Sequence, residues 1–296
     1  MEIRQLKYFV AIAETNSFSE ASRKFSLSQS AISQQIKILE DELGIQLFKR
    51  TPHNVSLTEG GRQLLPLALK TLSSLDECYD KIGRIKGLVG GELNIGLTYS
   101  LEPYLRETAI MFMRKHPMVQ LNVHFKTIPE LMTMLRNRQI DIAFCISTAE
   151  NQDEDLISKP TIKYHLCAIL RKNHRLANKE KLTMEDLKHE RIILPETGLK
   201  DRNAIERYFG NTASVLNISS VINDANAIMN VLQETNMVSI LPEQSINNRP
   251  LLKATKVEGL EKMVQSYSFI LKDKYKKQSV EIFLKMLSEN LLPYQL

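Results

Sequence analysis

Between Ser28 and Leu43 the chain reads SQSAISQQIKILEDEL. Wound as a helix, Gln29, Ser33 and Lys37 form one row and Ser30 and Gln34 the next, because residues three and four apart are neighbours on a helix surface. The face is made of amides, hydroxyls and one cation, with no carboxylate before Glu40. Such groups pair with the edges of base pairs in a DNA major groove, and their small bulk lets a helix come close. Arg23, Lys49 and Arg50 are placed to flank that face as phosphate contacts, with Ser28 at the head of the helix and Pro52 in the turn beyond it. An ordinary solvated helix would mix Glu and Lys at i, i+4 along its length; here acids gather only at Glu40-Asp41-Glu42.

A second set of residues follows the predicted strands of the rest of the chain. Thr98-Tyr99-Ser100, Thr127-Ile128, Cys145-Ile146-Ser147, Pro195-Glu196-Thr197 and Asn223-Asp224 each stand where a strand hands over to a loop or helix. Open α/β sheets take their ligands at that end, where helix N-termini offer N–H groups to anions. Hydroxyls and capped helix starts suit a carboxylate or another small anion. Glu196 and Asp224 favour a ligand that also carries a donor, and Lys200 and Arg202 are candidates to neutralise an anion. Nothing comparable is catalytic: the six histidines show no HExxH or paired metal spacing, and neither GxSxG nor a P-loop occurs. Cys78, Cys145 and Cys167 form no CxxC and are read as reduced thiols. No metal or cofactor is expected beyond a small-molecule ligand.

The elements that must hold the first set are legible. Leu6, Phe9, Val10 and Ala13 make a helical stripe, and Ser17 with Glu20 has capping-box spacing ahead of a short helix over Ser19–Phe25. Ser26-Leu27-Ser28 is a turn, Ser28 an N-cap, and Ile32, Ile36, Leu39 and Leu43 the buried stripe of the next helix. Gly44 is a C-cap candidate. Leu47 to Leu57 reads as two short strands around a basic turn. Helix, turn, polar-faced helix and β-hairpin make a winged helix-turn-helix. From Thr58 to about Leu88 the apolar residues Leu65, Ala68, Leu72, Leu75, Tyr79 and Ile82 repeat three and four apart, the seam of a two-helix dimerisation arm about 45 Å long. Pro66 predicts a bend early in that arm.

Gly87 to Gly91 is a hinge. Beyond it strands are predicted at 92–96, 121–125 and 140–146, with helices at Leu101–Lys115, capped by Ser100, and from Thr127 to Asn137. A second unit has strands at 164–171, 191–194, 219–222 and 238–241 and helices at 183–188, 201–209 and 225–235. A strand at 266–271 and a helix at 278–291 return to the first unit. Strand and helix alternate as in a doubly wound α/β domain.

The chain has 296 residues, enough for two or three domains, and a net charge of +5. Residues 1–90 hold 12 Lys/Arg and 10 Asp/Glu, so DNA binding is argued from the placement of charge and not from its sum. Phosphate contacts would still make affinity salt-dependent, and replacing Arg50 is expected to weaken binding to every DNA and flatten that dependence. No apolar run is long enough to span a bilayer. The opening MEIRQLK lacks a signal-peptide core, so a cytoplasmic location is expected.

The ordered set Phe18-Ser19-Glu20-Ala21-Ser22, Ser28 to Ile36, Leu39-Glu40, Leu43-Gly44, Leu47-Phe48, Arg50 and Leu57 to Gly61 resembles the LysR-type transcriptional regulators. Ser22 and Gly60 stand where that family usually has alanine. Ile140 to Ala143, the run from Leu166 to Ala177 and Val238 to Pro242 are similar to landmarks of its effector domain. The resemblance implies an α/β multidomain protein: an N-terminal winged helix-turn-helix (1–58), a long linker helix (59–88), and a C-terminal two-lobed α/β effector domain like periplasmic binding proteins (89–296). Lobe I would take 91–161 and 266–296, lobe II 162–265. It further implies dyad-symmetric operator DNA, a small effector between the lobes, two dimers per assembly and RNA polymerase as a candidate partner. A change in lobe angle would alter the spacing of the paired reading heads. The competing readings are a two-lobed solute-binding protein whose DNA-binding role is secondary, and a redox sensor, which would want two close cysteines between Arg191 and Asn217. That stretch contains none.

Overall fold

The structure, a computed structural model, describes residues 1–51, 54–85, 89–146, 155–196, 202, 205–206, 209–210, 216–260, 264–273 and 275–291. The described chain forms two units, Met1–Leu88 and Val89–Leu296.

In the first unit Ser17 accepts a hydrogen bond from Glu20 N at 3.2 Å, opening α2 (Phe18–Lys24) after α1 (Ile3–Thr15). Ser28 does the same for Ala31 N at 3.1 Å and opens α3 (Gln29–Leu43). Gly44 closes α3 with φ +69°, a left-handed conformation that costs glycine nothing. β1 (Phe48–Thr51) and β2 (Asn54–Leu57) pair antiparallel as the expected hairpin. The core joins Leu6, Phe9, Ile12, Phe18, Ile32, Ile36, Leu39, Leu47 and Phe48. Leu43, expected on that stripe, is 37% exposed, because it is the last residue of the helix, just before the Gly44 cap.

α4 (Glu59–Ile85) begins where Gly61 lies against Leu47 O; a Cβ there would sit 2.2 Å from that oxygen. The expected bend is not a break: α4 runs through Pro66 as one element. The seam also divides. Leu65, Ala68 and Leu72, with Leu64 and Leu69, pack on the first unit's own core, while Tyr79 and Ile82 are 71% and 54% exposed.

The second unit holds two mixed sheets. The first has the order β4-β3-β5-β13-β6 and consists of β3 (Gly91–Leu97), β4 (Val119–Phe125), β5 (Ile142–Ile146), β6 (Leu156–Tyr164) and β13 (Val264–Leu271). β3 is parallel to β4 and β5, and β13 is antiparallel to β5 and β6. The second has the order β10-β9-β11-β7-β12-β8, from β7 (Leu166–Arg171), β8 (Lys181–Leu182), β9 (Arg191–Pro195), β10 (Asn217–Ile222), β11 (Val238–Pro242) and β12 (Leu252–Val257). Helices α5 (Glu102–Lys115), α6 (Ile128–Arg136), α7 (Met184–Lys188), α8 (Ala225–Glu234) and α9 (Gln278–Leu291) accompany them. The chain crosses between sheets twice, at Tyr164–Leu166 and between Val257 and Val264.

Three strands were passed over in the sequence. β6 starts in exposed, Lys- and Pro-bearing sequence, and β8 is only two residues long. β12 carries Lys253 and Lys256 among its apolar residues. β6 keeps the chain in the first sheet to Tyr164, past the expected boundary at 161. The expected helix at 201–209 lies only partly within the described residues, where Arg202, Ile205, Glu206 and Phe209 are helical. Hinge residues 86–88 lie outside the described residues.

Candidate nucleic-acid interface and effector site

α3 exposes Gln29, Ser30, Gln34 and Lys37 while Ile32, Ile36 and Leu39 are fully buried beneath them. The sequence row is therefore a real surface. Its members are already ordered: Ser19 Oγ donates to Gln29 Oε1 at 3.0 Å, and the Ser28 and Ser30 hydroxyls lie 3.0 Å apart. Arg23 is exposed, with Nε 3.4 Å from Ser19 O, and Lys49 is exposed on β1. These groups form a polar, cation-bearing rim around a face that presents donors and acceptors, which is what groove reading requires. Pro52 lies outside the described residues.

Arg50 departs from expectation. Its guanidinium donates to Ser33 Oγ at 2.9 Å and Glu40 Oε2 at 3.3 Å, and lies 4.5 Å over the Phe18 ring. It is held by protein groups, with 41% of its side chain exposed. Ser33 is accordingly half-buried, at the margin of the reading face. Glu40 was passed over as the start of the acidic run, yet its Oε1 accepts Leu47 N at 2.7 Å and Phe48 N at 3.2 Å. That Glu40 shares a helix row with Ser33 and precedes the basic hairpin was the available signal.

In the second unit the expected loops sit at strand ends. Thr98 follows β3; its N–H donates to Phe144 O at 3.1 Å, and its hydroxyl is buried with no hydrogen-bond partner. Tyr99 stacks on Phe125 with ring centroids 5.4 Å apart. Ser100 does not cap α5: residues Tyr99–Leu101 form a 3₁₀ turn, and Leu101 occupies the N-cap position. The early tight turn takes up the segment that a serine cap would have used. Thr127 opens α6, and both its N–H and its hydroxyl donate to Glu130 Oε2, at 2.9 and 2.6 Å. Those bonds, the hydroxyl's first, hold the Glu130 carboxyl below the usual glutamate range. Ile128 is half-buried beside Leu131 and Leu135.

Cys145 must be corrected. Its side chain is fully buried under α6 with Leu131, Leu135, Ile140 and Phe269, so a ligand at the loop would not meet the thiol. Strand alternation decides this: Ala143 and Cys145 face α6, while Phe144 and Ile146 face the other core. Pro195 ends β9 buried; Glu196 and Asn223 are exposed, with Glu196 N bonded to Ile222 O at 3.2 Å. Asp224 caps α8 through Ala227 N at 2.7 Å. Arg202 is buried and bonded to Glu206 at 2.8 Å, which accounts for part of its charge locally. Ser147, Thr197 and Lys200 lie outside the described residues.

Sequence reasoning missed a link between the two sheets' helices. Buried Tyr104 on α5 donates its hydroxyl to Gln244 Oε1, in the turn after β11, and its ring packs 5.4 Å from Tyr164 at the first crossing. Burial pushes the Cys167 thiol up to about 12, the Glu243 charge adding to this and Lys256 opposing it. Among the described residues no three His, Cys, Asp or Glu side chains gather as a metal site, and no helix is long and apolar enough to cross a membrane.

The family model described as "Bacterial regulatory helix-turn-helix protein, lysR family" matches residues 3–62, and "LysR substrate binding domain" matches 86–292. An uncharacterised HTH-type transcriptional regulator of Escherichia coli, YnfL, is 31% identical over 82% of each chain. The HTH-type transcriptional activator CmpR of Synechocystis is 26% identical over 94% of this chain and 91% of its own. Among solved structures, full-length OxyR from Pseudomonas aeruginosa superposes with a TM-score of 0.73 at 19% identity, covering 97% of this chain and 94% of that one. CbnR in complex with its target DNA gives 0.66 at 22% identity, covering 98% and 100%. Two family models together spanning most of the chain, with the exposed polar face of α3 inside the first, make this protein a member of the LysR family of DNA-binding transcriptional regulators with an effector-binding domain.

Proposed function

We propose that the exposed row Gln29, Ser30, Gln34 and Lys37 reads a dyad-symmetric operator, with Arg23 and Lys49 on flanking phosphates. The observation that carries this is the contrast across α3: fully buried Ile32, Ile36 and Leu39 on one side, exposed polar groups on the other. Replacing Gln29 with Ala lowers operator affinity by roughly 1–3 kcal/mol and leaves random-sequence binding largely intact. An unchanged footprint for Gln29→Ala would place the reading face elsewhere. Two chains join through the exposed end of α4, where Tyr79 and Ile82 lack cover, and two such pairs make the working assembly. The protein works in the cytoplasm on its operator, with RNA polymerase as the downstream partner.

The effector in this reading is a small carboxylate or similar anion that also carries a donor, bound at the ends of β3, β4, β9 and β10. Support comes from the buried, unpartnered Thr98 hydroxyl, the exposed Thr127 at the start of α6, and Glu196 and Asn223 at the second sheet. Binding selects among lobe angles and so among arrangements of the reading heads. An unsatisfied buried hydroxyl costs stability when empty and contributes when filled. The full chain with Thr98→Val therefore melts no lower than the parent but loses most of the thermal shift produced by the active member of a mono- and dicarboxylate panel. If no carboxylate in the panel raises the melting temperature of the parent, the ligand class is wrong.

A further inference from the structure

One guanidinium joins the reading helix to the wing. Arg50 on β1 reaches Ser33 Oγ at 2.9 Å and Glu40 Oε2 at 3.3 Å, both on α3, and covers the Phe18 ring of α2 at 4.5 Å. Glu40 is only 10% exposed, and its second oxygen takes the N–H groups of Leu47 and Phe48, where the wing begins. Three helices' and strands' worth of positioning thus converge on a single charge pair.

We propose that Arg50 is a positioning residue for DNA specificity and not a phosphate contact. It fixes the wing against α3 and occupies an acceptor site on the Ser33 oxygen. A serine hydroxyl has one hydrogen and two lone pairs, so a donor seated on one lone pair leaves its own O–H free to donate. Ser33 is then presented to the groove as a donor, selecting bases with an acceptor there, such as the O6 and N7 of guanine or the O4 of thymine. The planar fork makes this placement possible; a lysine ammonium in the same position has no fixed pair of donor directions.

The reading rests on α3 as the groove-reading helix, and the test separates the two. The probes are a duplex recovered by the parent chain from a random-sequence library and an unselected duplex of the same length. The measured quantities are the affinity ratio between them and the salt dependence of each. Glu40→Gln removes an anion from the interface, so a phosphate-contacting Arg50, freed from its partner, would bind all DNA more tightly with the ratio kept. The positioning role gives the opposite: the ratio falls at least about tenfold, the discrimination carried by one good base contact. Arg50→Lys keeps the charge and loses the fork; it too drops the ratio at least about tenfold, with the salt slope unchanged. The pair Glu40→Gln with Arg50→Gln conserves net charge and behaves like Arg50→Lys. Circular-dichroism melts identify any variant that fails to fold, and Arg50→Lys, the mildest, then decides. A ratio that falls less than about tenfold in folded Arg50→Lys overturns the proposal. Should Gln29→Ala lower the ratio while Arg50→Lys does not, the fault lies with Arg50 and not with α3.

Discussion

Lys277 holds Asp141 at 3.0 Å, Nζ on Oδ2, with only 15% and 3% of their side chains exposed. The same Asp141 oxygen accepts Asn94 N at 2.9 Å, and Lys277 Nζ also donates to Glu92 O at 2.9 Å. A lysine just ahead of α9 thus ties the return of the chain to the foot of β3 and the start of β5. Removing one partner of an enclosed pair leaves the other charge with poor compensation. Asp141→Ala is expected to lower stability by about 3 kcal/mol, read as a reduced urea midpoint at neutral pH. A loss of a few tenths would mean that water reaches the ammonium readily.

The three cysteines should separate in a labelling experiment. Cys145 and Cys167 are buried, Cys78 is exposed, and the thiolate is the reactive form. With the Cys167 thiol pushed up to about 12, almost none of it is ionised at neutral pH. Iodoacetamide on the native chain should leave Cys145 and Cys167 unmodified, both reacting after denaturant is added, as mass spectrometry of the peptides would report. Modification of Cys167 in the folded protein would contradict its enclosure.

Acid should loosen the second unit through its helix caps. Glu130 is held below the glutamate reference of 4.5 by the Thr127 hydroxyl and N–H, and Asp186 below 3.8 by Lys179 and Thr183. A carboxyl whose folded value is depressed contributes stability that is present above its unfolded value and is lost as pH falls through the folded one. The melting temperature should therefore drop as pH falls below the ordinary carboxylate range, and Glu130→Gln should make that fall shallower. An acid limb identical in Glu130→Gln and the parent would remove this carboxyl from the account.

What could be read in advance followed local rules. Ser17, Ser28 and Gly44 announced helix ends because a cap uses one side chain and its nearest neighbours in the chain. β5, β9 and β11 were visible as apolar runs because they are buried over almost their whole length. β6 was invisible for the opposite reason: its early residues are exposed, and its partner β13 lies a hundred residues on. The row on α3 was legible as a face, but the engagement of Ser33 by Arg50 depended on how a hairpin folds back, which spacing does not encode. Cys145 was misplaced because position at a strand end was weighed without the alternation that turns it under α6.

The place of β13 has a consequence for the order of events at the ribosome. It lies between β5 and β6, and among the described residues β6 has no other neighbour in its sheet. Every strand of the second sheet precedes Val264, so that sheet is complete in the nascent chain while β6 still presents bare N–H and C=O groups. The first sheet thus stays open beside β5 until β13 emerges, and a chain cut short before it would carry a finished helix-turn-helix unit attached to an aggregation-prone remnant.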